Sequence, residues 1–480
     1  MTDCCNSSNK KHQAVDTSPD LLIIGAGSAG FSAAITAAEM GASAVLVGDG
    51  EIGGTCVNVG CVPSKTMIRA VEGIYHANQA SRFNGIEGHA NITDWSLLVE
   101  QKNALVTDLR QTKYVDILST YKNISYISGK AQFGDNGIIV DGVRYTPKKT
   151  IISTGSSPSL PPIDGLENAP CLTSATAMEL TTLPKSLLII GGGVVGVELG
   201  QMFARAGTKV TICCRSRLVP ETEPEISEAL AKYLTDEGIN ICAGIGYQKI
   251  EKISKGIRLT HDKKGEIHTI DAEQVLVATG RKPNTDGMEL EKNGVKLTKN
   301  SGIKINDYMQ TSRDDVYAVG DVTGIDMFVY MAAYGGKLAT LNALNGNHKK
   351  YDHAIMPTVV FTDPQVADVG LTEQKAKEQN IDIKTSTISL AHVPRFIADR
   401  DTRGLIKLIA DKKTDQLLGA HILAPEAGEI IQTAAFALKA KMTIEDLANS
   451  IFPYLTAVEG LKLAAQSFDK DVSKLSCCAG

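Results

Sequence analysis

The 480-residue sequence lacks any long apolar run. Its apolar runs, such as Leu187 to Ile190 and Leu21 to Ile24, are strand-length, far short of the ~18 residues that cross a bilayer, so no membrane insertion is expected. It also lacks an excess charge of either sign. The 49 Lys and Arg against 54 Asp and Glu leave a net −5, which offers nucleic acid or an anionic surface no hold and excludes both as expected partners. The opening MTDCCNSSNKKHQ has no apolar core of a signal peptide, and the expected location is the cytoplasm. A disulfide framework is missing as well. The 10 cysteines fall as Cys4-Cys5, Cys56 with Cys61, Cys171, Cys213-Cys214, Cys242 and Cys477-Cys478. Adjacent pairs are poor staples, and in a reducing compartment they read as metal ligands or redox groups. Cys171, Cys213, Cys214 and Cys242 read as small buried hydrophobes at strand ends. With 43% hydrophobic and 21% charged residues, the chain reads as globular and long enough for about two to four domains.

What is present centres on Gly53-Gly-Thr-Cys56-Val-Asn-Val-Gly-Cys61-Val-Pro-Ser-Lys65. Four residues separate the two cysteines, so their sulfurs can form or break a disulfide without large backbone movement. Pro63 suits a first helical turn, which predicts a helix opening near Val62-Pro63 and running from about Ser64 to Ala80. A thiol at such a helix start feels the positive end of the dipole, which favours the thiolate. The loop reads as a redox centre.

Two strand–turn–helix units flank it. Leu21 to Ile24 leads into Gly25-Ala-Gly27-Ser-Ala-Gly30 and an alanine-rich helix, then a second strand from Ser43 to Val47. The pattern repeats from Leu187, with Gly191-Gly-Gly193-Val-Val-Gly196, a helix and the strand Lys209 to Cys213. Glycines at these spacings permit a tight turn and let a pyrophosphate approach the helix N-terminus. A ribose-binding carboxylate is expected at the end of each second strand. In the first unit that place holds Gly48, with Asp49 next to it as the shifted candidate. In the second it holds Cys214, followed by Arg215 and Arg217. Two arginines without a carboxylate favour a 2′-phosphate, hence NADPH. A third strand, Thr311 to Asp321, ends in Gly320-Asp321, with the carboxylate placed to bond a flavin's sugar chain. Two turns plus this strand imply two dinucleotides. Helices are expected across Trp95 to Ser119, including Tyr114, and an α+β segment used for subunit contact from about 353 onward. Residues 1 to about 18 read as a mobile tail, whose Cys4-Cys5 pair is either a soft-metal catcher or an unremarkable exposed dithiol.

The motifs GAGSAG at Gly25, GGTCVNVGCVPSK at Gly53, GGGVVGVELG at Gly191, ATGRKPN at Ala278 and YAVGD at Tyr317 resemble the flavin-dependent pyridine nucleotide–disulfide oxidoreductases. The resemblance covers about residue 20 to the C-terminus. It implies an α/β fold with two Rossmann-like dinucleotide-binding domains and a C-terminal α+β dimerisation domain. The implied order is a tail at 1–18, an FAD-binding domain at 19–157 and 281–352, an NADPH-binding domain at 158–280, and a dimerisation domain at 353–480. It implies that Gly54, Thr55, Lys65, Gly155 and Gly280 join the turn glycines, Asp49, Arg215, Arg217 and Asp321 in holding FAD and NADPH. It also implies Cys61 as the thiolate facing the flavin, Cys56 as the exchange thiol, and Glu198 as the partner of Lys65 near the nicotinamide.

Ile451-Phe-Pro-Tyr-Leu-Thr456, Val458 to Gln466 and the terminal Ser-Cys-Cys-Ala-Gly narrow the resemblance to the mercuric reductase branch. Members that reduce organic disulfides carry His-Pro where this chain has Tyr454-Leu455, while the following acid remains as Glu459. Tyrosine, with an ordinary pKa near 10, does not replace imidazole as a base near neutrality. The missing base, worth about 10² to 10⁴ in rate, argues against glutathione or lipoamide and for a soft metal ion, which thiolates bind. The resemblance therefore implies a homodimer that reduces mercuric ion presented as a small-thiol complex. Cys477 and Cys478, reaching from the other subunit, would hand the ion to Cys56 and Cys61, with Tyr114 and Tyr454 guiding it.

Overall fold

The computed structural model describes residues 16–471. Cys4, Cys5, Cys477 and Cys478 lie outside the described residues. The chain divides into two compact units. The described residues of the first fall within Met1–Asn58, Thr107–Ser157 and Lys282–Tyr351, and those of the second within Val59–Val106, Pro158–Arg281 and Asp352–Gly480.

The early elements are β1 (Leu21–Ile24), α1 (Ser28–Glu39), β2 (Ala44–Gly48), α2 (Gly54–Val59), α3 (Cys61–Asn78) and, after the helical stretch from Trp95, β3 (Ile124–Ser128). The first unit is built on a five-stranded sheet in the order Val316–Ala318, Lys149–Ile152, β1, β2, β3, with every pairing parallel. All four residues of β1 are buried, as expected for a parallel sheet covered on both faces. One face packs on α1 and on the helix Val329–Asn345, where a Cβ on Gly336 would lie 2.3 Å from Ala29 O. That contact makes glycine obligatory at the crossing.

The second unit repeats the arrangement with Asn240–Ala243, Lys209–Cys214, Ser186–Ile190, Gln274–Val277 and Cys171–Leu172, again parallel. It also holds a five-stranded antiparallel sheet ordered Thr358–Val360, Gln365–Gly370, Leu417–Ala424, Leu405–Asp411, Ile383–Ser389. The helices Ala427–Lys439 and Glu459–Gln466 cover it.

Helix α3 starts at Cys61, behind Gly60, so that thiol opens the helix as expected. Local structure departs from the sequence expectation in two places. The stretch from Trp95 is helical to Thr120 but contains one π turn, Gln111–Val115. Cys213 and Cys214 are buried as expected, whereas Cys171 and Cys242 are only half-buried, because they sit on the two outermost strands of their sheet.

Candidate active site

The two glycine-rich turns have the same construction. Gly25 has φ +116°, and a Cβ there would lie 2.3 Å from Ser153 O; Gly191 has φ +120°, and its Cβ would lie 2.2 Å from Ala278 O. The third glycines close the turns, with would-be Cβ atoms 1.9 Å from Gly25 O at Gly30 and 2.0 Å from Gly191 O at Gly196. The helices behind them, α1 and Val194–Arg205, begin at Gly27 and Gly193 without a side-chain cap or an acid in the first turn. Their first N–H groups are left for a ligand, as an anion at a helix start requires. This cradle fits a dinucleotide pyrophosphate at each turn.

In the first unit the redox loop is tied to the nucleotide turn. Gly53 N–H donates to Ala26 O at 2.9 Å. Gly54 (φ +69°) approaches so closely that a Cβ there would lie 2.7 Å from Gly27 Cα. Asn58 donates to Ile52 O and Gly54 O, both at 2.9 Å, closing the short helix α2 that carries Thr55 and the half-buried Cys56. Tyr114 sits on the π turn, a feature that recurs at functional sites. Its ring stands edge-on to Phe31 at 4.9 Å, and its Cδ2 would lie 3.1 Å from a Cβ on Gly53. Tyr114 thus packs against the loop that holds Cys56.

Asp321 accepts a hydrogen bond from Ser156 Oγ at 2.6 Å, one residue after Gly155, which has φ +70° and open space on its Cβ side. Asp49 lies in the exposed bend after β2. The ring of Tyr126 approaches Gly48, whose would-be Cβ lies 2.9 Å from the Tyr126 hydroxyl. Nothing in the one-dimensional pattern links Tyr126, a β3 residue, to the end of β2.

In the second unit Cys61 is exposed at the first position of the 18-residue helix α3. One turn on, Lys65 Nζ donates to Glu198 Oε2 at 2.7 Å, and Glu198 is only 4% exposed. The other carboxylate oxygen, Oε1, accepts the Phe361 N–H at 2.9 Å, and the Lys65 ammonium lies 4.8 Å from the Phe361 ring centroid. Phe361 was absent from the sequence expectation; its amide contribution carries no residue-type signal. Glu198 is therefore a buried carboxylate, paired inside its helix.

At the second nucleotide turn, Arg217 Nη2 donates to Pro220 O and Thr222 O, each at 2.7 Å, while Arg215 is exposed. Gly280 (φ +120°) has open space on its Cβ side. At the far end of the unit, the exposed Tyr454 precedes Leu455, which is held at φ +63°. Glu459 accepts the Leu455 N–H at 3.3 Å.

The sequence pattern of the pyridine nucleotide-disulphide oxidoreductase family matches residues 19–338, and that of the family's dimerisation domain matches residues 356–465. The chain is 48% identical over 463 residues to a mercuric reductase of Lysinibacillus sphaericus, covering 96% of this chain and 84% of the relative. It is 44% identical to one of Streptomyces lividans, covering 97% and 99%. Among solved structures, a HOCl-induced flavoprotein disulfide reductase from Escherichia coli, as its Cu(II) complex, superposes with TM-score 0.81 at 30% identity. That match covers 92% of this chain and 98% of the other. Among the described residues, no helix is long and apolar enough to cross a membrane.

Proposed function

The chain belongs to the pyridine nucleotide-disulphide oxidoreductases, and from that premise we propose that it reduces mercuric ion to elemental mercury. The net reaction takes one NADPH and one mercuric ion to NADP⁺, a proton and the neutral metal. When bound, NADPH would supply the two electrons and FAD would carry them. Gly25, Gly27 and Gly30, with Gly54, Thr55, Gly155 and Asp321, hold FAD. Gly191, Gly193, Gly196 and Gly280 hold NADPH, with the exposed Arg215 on its 2′-phosphate and Arg217 bracing the loop beneath.

The protein's own part is thiolate chemistry. Cys56 and Cys61 form the redox pair and the final ligands of the ion, since a soft cation prefers thiolate to oxygen or nitrogen. The start of α3 favours the ionised form of Cys61. Lys65 is anchored by Glu198 one turn after Cys61, which sets its ammonium in a single place. Tyr114, packed on the Gly53 turn, shapes the approach to Cys56. Cys477 and Cys478 collect the ion from small thiols and pass it on, from the partner subunit of a homodimer, with Tyr454 along the route.

The observation that carries the substrate choice is Tyr454 in the place of a general-base histidine, with Glu459 occupied by the Leu455 amide. Disulfide exchange loses its proton shuttle there, whereas ligand exchange on a metal ion does not need one. The test is NADPH consumption with mercuric ion in excess thiol. Catalytic consumption with release of mercury vapour is expected; faster consumption with oxidised glutathione or lipoamide would overturn the assignment. Cys477→Ala with Cys478→Ala should slow turnover at physiological thiol levels, and unchanged turnover removes the hand-off.

A further inference from the structure

We infer that the Tyr126 phenol stands in for the missing strand-end carboxylate and pairs with a ribose hydroxyl of the dinucleotide on the Gly25–Gly30 turn. The inference rests on the FAD reading of that turn. In such a unit the residue ending the second strand normally holds the ribose through a carboxylate. Here that residue is Gly48, the last of β2.

The register explains what fills the gap. β2 and β3 run parallel with Leu46 opposite Tyr126 and Gly48 opposite Ser128. Tyr126 therefore lies on the same pleat face as Gly48, two residues upstream, and its ring leans along the strand. A Cβ at position 48 would lie 2.9 Å from the Tyr126 hydroxyl, 3.1 Å from its Cε2 and 2.9 Å from the Cβ of Ala26. The hydroxyl occupies the space a carboxylate stem would need, beside the second residue of the nucleotide turn. The ring itself packs against the cluster containing Leu21, Ala26 and Leu46, so its position is set by the core.

The neighbouring carboxylates are placed differently. Asp49 is exposed in the bend beyond the strand, and Glu51 accepts the Arg110 guanidinium at 2.5 Å. Burial holds the Tyr126 phenol above its ordinary range against the opposing hydrogen bond with the Ser128 side chain, so it stays protonated. A phenol, with one donor and two acceptor lone pairs, can keep that bond and still pair with a sugar hydroxyl.

The second turn serves as an internal comparison. Gly191 N–H bonds Cys213 O as Gly25 N–H bonds Val47 O, which makes Cys214 the counterpart of Gly48. By the same register Ile241, opposite Ile212, is the counterpart of Tyr126. The turn assigned to NADPH has an apolar side chain there and an arginine nearby; the turn assigned to FAD has a hydroxyl.

The experiment strips flavin from the full-length protein and titrates it back, reading flavin fluorescence. The probes are FAD and an FAD whose adenosine lacks both ribose hydroxyls. Tyr126→Phe keeps the ring packed, and is expected to weaken FAD by about threefold to tenfold, the loss of one neutral hydrogen bond. The same substitution should leave the deoxygenated analogue unaffected. Equal loss with both flavins, or no loss with either, overturns the inference. So does a result in which Asp49→Asn, rather than Tyr126→Phe, abolishes the discrimination. A parent protein that takes up neither flavin overturns the FAD reading and the inference with it, a failure distinct from normal binding by Tyr126→Phe.

Discussion

The Lys65 ammonium meets the Glu198 carboxylate at 2.7 Å, linking the helix that opens with Cys61 to the helix that opens at the second nucleotide turn. The carboxylate is spent twice, on Lys65 and on the Phe361 amide, so neither partner can leave without exposing a buried group to an unmet bond.

Glu198→Gln keeps the shape but gives Lys65 a neutral acceptor. NADPH-dependent turnover should fall by about 10²-fold, the scale of a small misplacement in a reacting site. Flavin content should be unchanged, and steady-state kinetics on the purified holoenzyme checks both. Glu198→Ala should also lower thermal stability, since about 1–3 kcal/mol is lost when the Phe361 N–H is orphaned.

Cys56 and Cys61 are expected to act as one unit. Cys56→Ser and Cys61→Ser should each abolish mercury-dependent NADPH consumption, and the double variant should be no worse than either alone, because groups in one catalytic step are not additive. Additive losses in a double-mutant comparison would show two independent thiols.

The pair Tyr454-Leu455 departs from His-Pro for a backbone reason as well as a chemical one. Leu455 sits at φ +63°, whereas proline is confined near −65°. Leu455→Pro should therefore destabilise the protein by more than about 1 kcal/mol, and Leu455→Gly should stabilise it by about 1 kcal/mol by removing the left-handed strain. Tyr454→His, beside Glu459, should raise the otherwise weak reduction of oxidised glutathione by at least about tenfold. No gain in that assay would mean that Glu459 does not orient an imidazole here.

His421 predicts a pH dependence of stability. Its Nδ1 lies 2.6 Å from Asp368 Oδ1 and its Nε2 lies 3.0 Å from Leu371 O. Both partners are acceptors, an arrangement that favours the imidazolium, which carries a proton on each nitrogen. Burial opposes that charge, but the hydrogen bond and charge of Asp368 outweigh it and raise the pKa. The folded value lies above the unfolded one, so the stabilisation is fully present below about pH 6.5 and is lost as pH rises through the folded pKa. Thermal denaturation from pH 6 upward should show this decline, and Asp368→Asn should flatten it.

Periodicity and glycine spacing in the sequence already determined the two nucleotide units, the dithiol loop and the α+β end, because tight turns, short buried strands and amphipathic helices leave local signatures. The helix Val329–Asn345 was not legible: it is apolar on nearly all sides, and the glycines that let it cross α1 carry no periodic signal. Motif matching named Glu198 as the partner of Lys65, but only the packing of two helices distant in sequence set their 2.7 Å contact and added the Phe361 amide. Tyr126 is the clearest division between the two levels. From the sequence, Gly48 was a gap where a carboxylate belongs; parallel pairing of β2 with β3 brought a phenol into that gap. Register is a property of strands in contact, and a contact between residues so far apart along the chain is decided only when the sheet forms.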